Sequence, residues 1–454
     1  MRVVIIGAGS VGYVAAETIA GIHDVLVVDT DSQMAETVKS SLNVSVLHED
    51  GSNPRVLKEA IQKHDAEAVV STLKDDAVNL FICLMAKRYN KNIFTVASVN
   101  HPDFRIEKGP DKSYDVDMII SPEMVTARKI YRMAVMENST DFEFVESLGV
   151  GVAVFQVKSE SPVVGQVVLH FRLPDECSVI GIYRDNELKL DVDTMEIRAG
   201  DRICVFGSEK GMEDFNEFLG VEMKAVQFAI LGGSIMGANL AKMLLNDKEK
   251  RFVTVVELNE DRCRELAKTI PEAMILREDY KDPRVQRSEE LFKADCVIVA
   301  SGSDDTNLLM CMSAERYNSR KVITRYFKPE YEDIFAHTGL DTIVSYHRIV
   351  SNEITNCVLP NDVALMRMRN RNELFFMHDV DKGSHFCDKY LGDLDIPDGV
   401  RVVAVLRKDA GQGRIIYSDL DTYIKEGDQL IVFTNLTRES DFKKLFGKNA
   451  IPEL

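Results

Sequence analysis

The sequence predicts an α/β chain in which two doubly wound parallel-sheet domains stand in tandem, each followed by a small α+β domain. Three observations predict it. The β-branched run Val3–Ile6 opens directly into Gly7-Ala8-Gly9-Ser10-Val11-Gly12 and then into helix-spaced Val14, Ala15, Thr18 and Ile19. Similar runs alternate with helical patterns up to Ile120, the order that lays parallel strands between two layers of helices. The whole plan then recurs in the second half of the chain.

In chain order, strands are expected at Val3–Ile6, Val25–Val28, Val44–Leu47, Ala68–Thr72, Ile93–Val96 and Met118–Ile120. Helices are expected near residues 11–20, 32–41, 54–63, 76–89 and 102–109. A further helix over Glu123–Glu137 carries Val125, Ile130, Met133 and Met136 on one side, and its Arg128, Lys129 and Arg132 are expected to face solvent. From Phe142 to Gly220 short alternating strands are broken by Ser161-Pro162, Leu173-Pro174, Asp185-Asn186 and Ala199-Gly200-Asp201, which predicts a small strand-rich domain. The second half repeats this with a sheet domain over Ala225–Ser345, a helix over Tyr346–Leu359 and a strand-rich module over Asp362–Gly447. The expected domains are therefore residues 1–138, 139–224, 225–360 and 361–454.

The repeat rests on one nearly constant spacing. Gly232-Gly233-Ser234-Ile235-Met236-Gly237 restates the first glycine turn, with Gly12 and Gly237 standing 225 residues apart. Asp29 and Glu257 stand 228 apart, and the difference falls in the loop Asn246–Arg251, where insertions cost little. Ala86-Lys87-Arg88-Tyr89-Asn90 returns as Ala314-Glu315-Arg316-Tyr317-Asn318, Asn79-Leu80 as Asn307-Leu308, and Gly200-Asp201 as Gly427-Asp428. A tandem duplication is the only economical source of such agreement.

The glycine pattern carries chemistry because of where it sits. Gly7 permits a tight turn, Gly9 lets main chain approach a pyrophosphate, Gly12 allows close helix-strand contact, and the helix N-terminus directs unpaired N–H groups at an anion. Asp29 ends the second strand, placed to accept the two hydroxyls of an adenosine ribose and to repel a 2′-phosphate, which favours NAD or adenine nucleotides over NADP. Asp50-Gly51 and Thr72 lie at the C-terminal ends of the next strands, as do Asp279 and Ala300-Ser301 in the second half. Asp50 reads equally well as a turn residue. Ser234 replaces Gly9 and either crowds a pyrophosphate or donates a hydroxyl, while Glu257 is a longer version of Asp29.

Composition narrows the remaining classes. Lys+Arg 55 against Asp+Glu 73 leaves a net charge of −18, which opposes binding to nucleic acid or anionic lipid. No apolar run approaches the ~18 residues of a membrane span. Met1 leads straight into the first strand, so no signal or transit peptide is expected. The eight cysteines form no C-x-x-C pair and are expected to be reduced core residues of a cytoplasmic protein. The nine histidines offer no metal spacing, and no metal site is expected. Tyr317 and Lys321 form a Y-x-x-x-K pair, but Tyr317 repeats Tyr89, which has Ile93 at the lysine position, so no catalytic residue is assigned. Binding without chemistry is the expected function.

The duplicated GAGSVG turn, the acid-ended second strand, the D-x-x-N-L stretch and the strand-rich module with G-D-x-x-x-V-F together resemble the TrkA family of potassium-uptake regulatory subunits. The resemblance covers nearly the whole chain and implies two Rossmann-like RCK (or KTN) nucleotide-binding domains, each with a TrkA C-terminal domain. It implies a protein without catalytic activity, cytoplasmic and peripheral to the inner face of the cell membrane, that binds NAD(H) with ATP or ADP as alternative ligands of the same crevices. It further implies a ring of RCK domains, built by a dimer or tetramer of chains, beneath a TrkH-like potassium-translocating membrane subunit. By position, Gly7, Ala8, Gly9, Ser10, Val11, Gly12, Asp29, Asp50, Gly51, Thr72, Leu73 and Ser98 would line the first crevice. Gly232, Gly233, Ser234, Ile235, Met236, Gly237, Glu257, Asp279, Ala300, Ser301 and Arg325 would line the second. Ser98 stands where the family often has arginine, which Arg325 retains. An NAD-dependent oxidoreductase and a nucleotide-sensing regulator of a different cation transporter are the alternatives, separated by turnover of NADH and by the membrane protein that co-purifies.

Overall fold

The computed structural model describes residues 1–435 apart from 21–22, 102–114, 147, 186, 222, 289–290, 337–341, 359–363, 369–372 and 410–411. The helix expected near residues 102–109 and the end of the last module lie outside the described residues. The first sheet has the order β3-β2-β1-β4-β5-β6, all parallel, from β1 (Arg2–Ile6), β2 (Asp24–Asp29), β3 (Ser45–His48), β4 (Ala68–Ser71), β5 (Phe94–Ser98) and β6 (Met118–Ile120). Helices α1 (Ser10–Ile19), α2 (Ser32–Ser41), α3 (Pro54–Lys63) and α4 (Asp76–Tyr89) connect the strands, and α5 (Pro122–Val135) leaves the sheet. The order reverses between β1 and β4, so a crevice opens at the C-terminal edge beside the Gly7–Gly12 turn. Val3, Val4, Ile5, Val69 and Val70 are wholly buried, as the β-branched runs require of strands covered on both faces.

Four antiparallel pairings then build a sheet of order β10-β9-β11-β8-β7 from β7 (Ser139–Val145), β8 (Val150–Gln156), β9 (Cys177–Arg184), β10 (Glu187–Lys189) and β11 (Arg202–Ser208), followed by α6 (Glu209–Phe218). The second parallel sheet repeats the first as β14-β13-β12-β15-β16-β17. Its strands are β12 (Gln227–Leu231), β13 (Phe252–Val256), β14 (Met274–Leu276), β15 (Cys296–Val299), β16 (Val322–Tyr326) and β17 (Ile343–Ser345). Between them run α7 (Ile235–Leu245), α8 (Glu260–Thr269), α9 (Pro283–Ser288), α10 (Asp304–Arg316) and α11 (Glu332–Ala336), with α12 (Tyr346–Val358) after β17. The last sheet, β18-β19-β24-β21-β22, comprises β18 (Ala364–Arg367), β19 (Glu373–Asp379), β21 (Val400–Asp409), β22 (Gln412–Tyr417) and β24 (Gln429–Asn435), and β20 (Lys389–Tyr390) pairs with β23 (Tyr423–Ile424).

The boundaries expected at 138 and 360 give each crossover helix to the sheet it follows, and the chain does not divide that way. One compact unit holds residues 1–126 together with α12, and the other holds the remaining described residues. Helix α12 lies on α1, where Ile349, Val350 and Ile354 are buried, Glu17 meets His347 at 2.6 Å and Thr18 donates to Ser351 at 3.0 Å. An apolar stripe announces that a helix is buried but not against what.

Within the second unit the same logic corrects the reading of α5. Arg128 is half exposed as expected, but Lys129 and Arg132 are buried. The Lys129 ammonium lies 2.9 Å from Asp141 and 2.6 Å from Glu143 on β7, and Arg132 donates to Glu209 at 2.8 Å and Glu146 at 3.0 Å while its guanidinium covers the Phe144 ring. These cations pair with acids that the helix's own sequence does not contain.

Lys321, half of the rejected Y-x-x-x-K pair, also serves α5. Its ammonium donates to the carbonyls of Met133 (2.5 Å), Met136 (2.8 Å) and Ser139 (2.9 Å), satisfying acceptors that a helix end leaves open. Tyr317 stacks on Phe292. Lys321→Met is expected to cost about 1.5–3 kcal/mol in urea unfolding of the full chain, the range for hydrogen bonds from a charged group. An unchanged midpoint would contradict this capping role.

The two small sheets, expected as separate domains, share one core: Val152, Cys204 and Phe206 of the first meet Phe375, Ile431 and Phe433 of the second. The Tyr183 hydroxyl donates to the buried carboxylate of Glu373 across that contact, and Arg401 donates to the carbonyls of Ile180 and Leu190. The repeated Gly-Asp of each module has a plain structural role. Asp201 and Asp428 are buried and accept both arms of Arg184 and Arg407 respectively, and each also accepts the main-chain N–H three residues before it, of Arg198 and Lys425.

Candidate functional site

The first crevice is built by side chains reaching across the switch point. Gly7 adopts a φ of 98°, and a Cβ on Gly12 would lie 1.9 Å from the Gly7 carbonyl oxygen, so both positions require glycine. At Gly9 a Cβ would meet nothing within 4 Å, and no side chain caps α1 there. The N–H groups of the first turn of α1 have no intrahelical partner, an arrangement that suits the phosphates of a nucleotide. Asp29 holds this turn: its carboxylate accepts from Ala8 N at 2.5 Å and from Asp31 N at 2.7 Å. Each carboxylate oxygen retains a second lone pair for a ribose hydroxyl.

The floor comes from β4 and β5. Thr72 donates to the carbonyl of Gly7 at 3.0 Å or of Ile6 at 3.1 Å, tying the floor to the turn, and Leu73 packs beside Gly7. Ser98 is buried at the end of β5. Asp50 accepts from Ser52 N and Oγ, and Asp279 accepts from Lys281 N, so both acids shape turns. Gly51 sits against Ile6, where a Cβ would approach to 2.5 Å.

The second crevice repeats the frame with different side chains. Gly232 has a φ of 116°, Glu257 accepts from Gly233 N at 2.9 Å and from Asn259 N at 2.8 Å, and a Cβ on Gly237 would come within 2.4 Å of the Gly232 carbonyl. Ile235 is exposed at the start of α7, and Met236 turns its side chain into the core. Ser234 does donate its hydroxyl, to the carbonyl of Ala300 at 3.2 Å, and also accepts from Gly237 N at 3.2 Å. Arg325 is buried at the end of β16 with its guanidinium over the Phe327 ring. Arg262 donates to the Gly233 carbonyl at 2.5 Å.

Several organising residues escaped the sequence reading. Asn79 accepts from Leu73 N and donates to the carbonyls of Leu73 and Ser98, binding the ends of β4 and β5. Asn307 accepts from the Ser301 hydroxyl and donates to the Arg325 carbonyl, which joins β15 to β16. Asp76 accepts from the N–H groups of Asn100 and His101, and Asp304 from those of Phe327 and Lys328. Their recurrence in D-x-x-N-L was the available signal. Tyr280 had none, because its counterpart is Gly51. Burial, with the Glu257 and Asp279 carboxylates, raises its hydroxyl above the ordinary tyrosine range.

Comparison with known proteins decides the family. The TrkA-N domain matches residues 3–122 and 228–346, and the TrkA-C domain matches residues 152–220 and 375–447. The chain belongs to the TrkA family. Trk system potassium uptake protein TrkA homolog 1 of Methanosarcina mazei is 27% identical over 98% of this chain and 100% of its own length. The TrkA protein of Halomonas elongata is 26% identical over 98% of each. Among solved structures, the GsuK channel superposes with a TM-score of 0.64 at 16% identity, covering 98% of this chain and 78% of that one. The GsuK channel bound to NAD gives 0.62 at 15% identity, over 98% and 78%. These similarities support the tandem Rossmann-like fold, and the TrkA relatives are named for potassium uptake rather than for a reaction. Among the described residues no helix is long and apolar enough to cross a membrane, and no group of three or more His, Cys, Asp and Glu side chains is placed to hold a metal ion.

Proposed function

We propose that this TrkA-family chain is the cytoplasmic nucleotide-sensing subunit of a potassium uptake system, reading NAD(H) and ATP or ADP and gating a TrkH-like membrane subunit. The observation that carries the reading is the twinned crevice, in which Asp29 and Glu257 each brace a glycine turn. A solved relative in fold is described as GsuK bound to NAD and another, at a TM-score of 0.51, as GsuK bound to ADP, which supports both ligand classes. A ligand shifts a conformational equilibrium only by its difference in affinity for the two states, and about 1–3 kcal/mol is a typical coupling.

Self-association into a ring is supported by a repeated apolar patch. Phe81 and Leu84 are exposed on α4, and Leu309 and Met312 are exposed at the matching positions of α10. Phe81→Glu combined with Leu309→Glu is expected to shrink the species seen by light scattering, and an unaltered mass would remove that support. The functional reading itself is tested by calorimetry of the full chain with NADH, ADP and ATP, and by co-purification with the potassium-translocating subunit. Micromolar binding and co-purification are expected. Absence of binding by all three nucleotides would defeat the proposal, and catalytic consumption of NADH would replace it with an oxidoreductase.

A further inference from the structure

The two crevices make the same cross-cleft hydrogen bond from opposite sides. In the first, the hydroxyl belongs to the floor residue Thr72 and reaches the Gly7 carbonyl, leaving the helix-capping position to Gly9. In the second, the floor residue is Ala300, and the hydroxyl belongs to Ser234 at the cap, which reaches the Ala300 carbonyl. The tie is conserved in effect, but its hydroxyl has moved onto the anion seat. There it also takes the Gly237 N–H, one of the donors that a phosphate would otherwise use.

A second difference runs the other way. The first sheet carries the neutral Ser98 at the end of β5, whereas the matching position on β16 is Arg325, whose guanidinium is buried over the Phe327 ring. Arg262, standing where Met34 stands in the first unit, donates to the Gly233 carbonyl and adds positive charge beside the second glycine turn. A dinucleotide has its pyrophosphate fixed between two nucleosides and must lay it across the main-chain N–H groups of the helix start. A mononucleotide has a free phosphate tail, which can bypass the cap and end on a guanidinium.

We infer that the exchange of Gly9 and Thr72 for Ser234 and Ala300 divides the ligands: the first crevice takes the dinucleotide NAD(H), and the second takes an adenine mononucleotide with free terminal phosphates. This rests on the nucleotide-sensing reading and deepens it, because one chain then compares two metabolic signals instead of reading one twice. Ser234 is the residue that decides, and Arg325 supplies the charge that the mononucleotide needs.

The test is stoichiometry by calorimetry on the full chain, with NADH and ADP as probes. The wild-type chain is expected to bind one NADH in the presence of saturating ADP and one ADP in the presence of saturating NADH. Ser234→Gly with Ala300→Thr is expected to raise NADH to two per chain, and Gly9→Ser with Thr72→Ala to abolish tight NADH binding while ADP binding persists. Arg325→Gln, which leaves both glycine turns untouched, is expected to weaken ADP about tenfold or more without altering NADH, and it keeps the test decisive if either double variant unfolds. Two equivalent NADH sites in the wild-type chain, or full competition between the nucleotides, would overturn the division while leaving nucleotide sensing intact. Absence of binding by either nucleotide would instead refute the underlying reading.

Discussion

Gly12→Ala is expected to abolish nucleotide binding at the first crevice and to destabilise the first unit by about 3 kcal/mol, the upper part of the range for overpacking a rigid contact. The added methyl would sit 1.9 Å from the Gly7 carbonyl oxygen and 2.6 Å from the Thr72 hydroxyl. Relief requires α1 to move away from β1, which opens the turn that Asp29 holds through Ala8 N. Calorimetry with NADH and thermal unfolding read the two effects separately. Gly237→Ala has the same geometry, with its methyl 2.4 Å from the Gly232 carbonyl, and is expected to impair the second crevice alone. Wild-type affinity and stability in Gly12→Ala would show that the turn is not the rigid element described above.

Lys129→Met is expected to have the larger effect on stability, about 3–5 kcal/mol, because it leaves buried carboxylates without the ammonium that faces them. Asp141 and Glu143 are each less than a tenth exposed, and both approach the Lys129 ammonium within 3 Å. Urea unfolding should show the loss in the second unit. Replacing Lys129, Asp141 and Glu143 together by apolar residues of similar size should recover much of it, since the desolvation cost of the charges disappears with them. If the single substitution lowers stability by less than about 1 kcal/mol, the magnitude expected of an exposed pair, the buried reading of this cluster is wrong.

These expectations differ in how far residues alone foretold them. Gly12 was legible because strand, turn and helix are contiguous, and the steric need for glycine arises within a dozen residues. Lys129 was misread because α5 shows polar residues on one side, and the acids that cover them come from β7, across a turn, and from α6, more than seventy residues on. Asn79 and Asp76 lie between these cases. Their repetition at Asn307 and Asp304 marked them, but only the strand ends they join show that they shape the crevice floor.

Local pattern therefore determined the sheet domains, the duplication, the glycine turns and the two bracing acids, since each depends on periodicity or on chemistry between near neighbours. Tertiary structure decided which sheet each crossover helix covers, that the small sheets share a core, and that one crevice is capped by glycine and the other by serine bonded to Ala300. The physical reason is that burial and hydrogen-bond partners are properties of a closed surface. Residues far apart in the chain supply that surface only after it has folded.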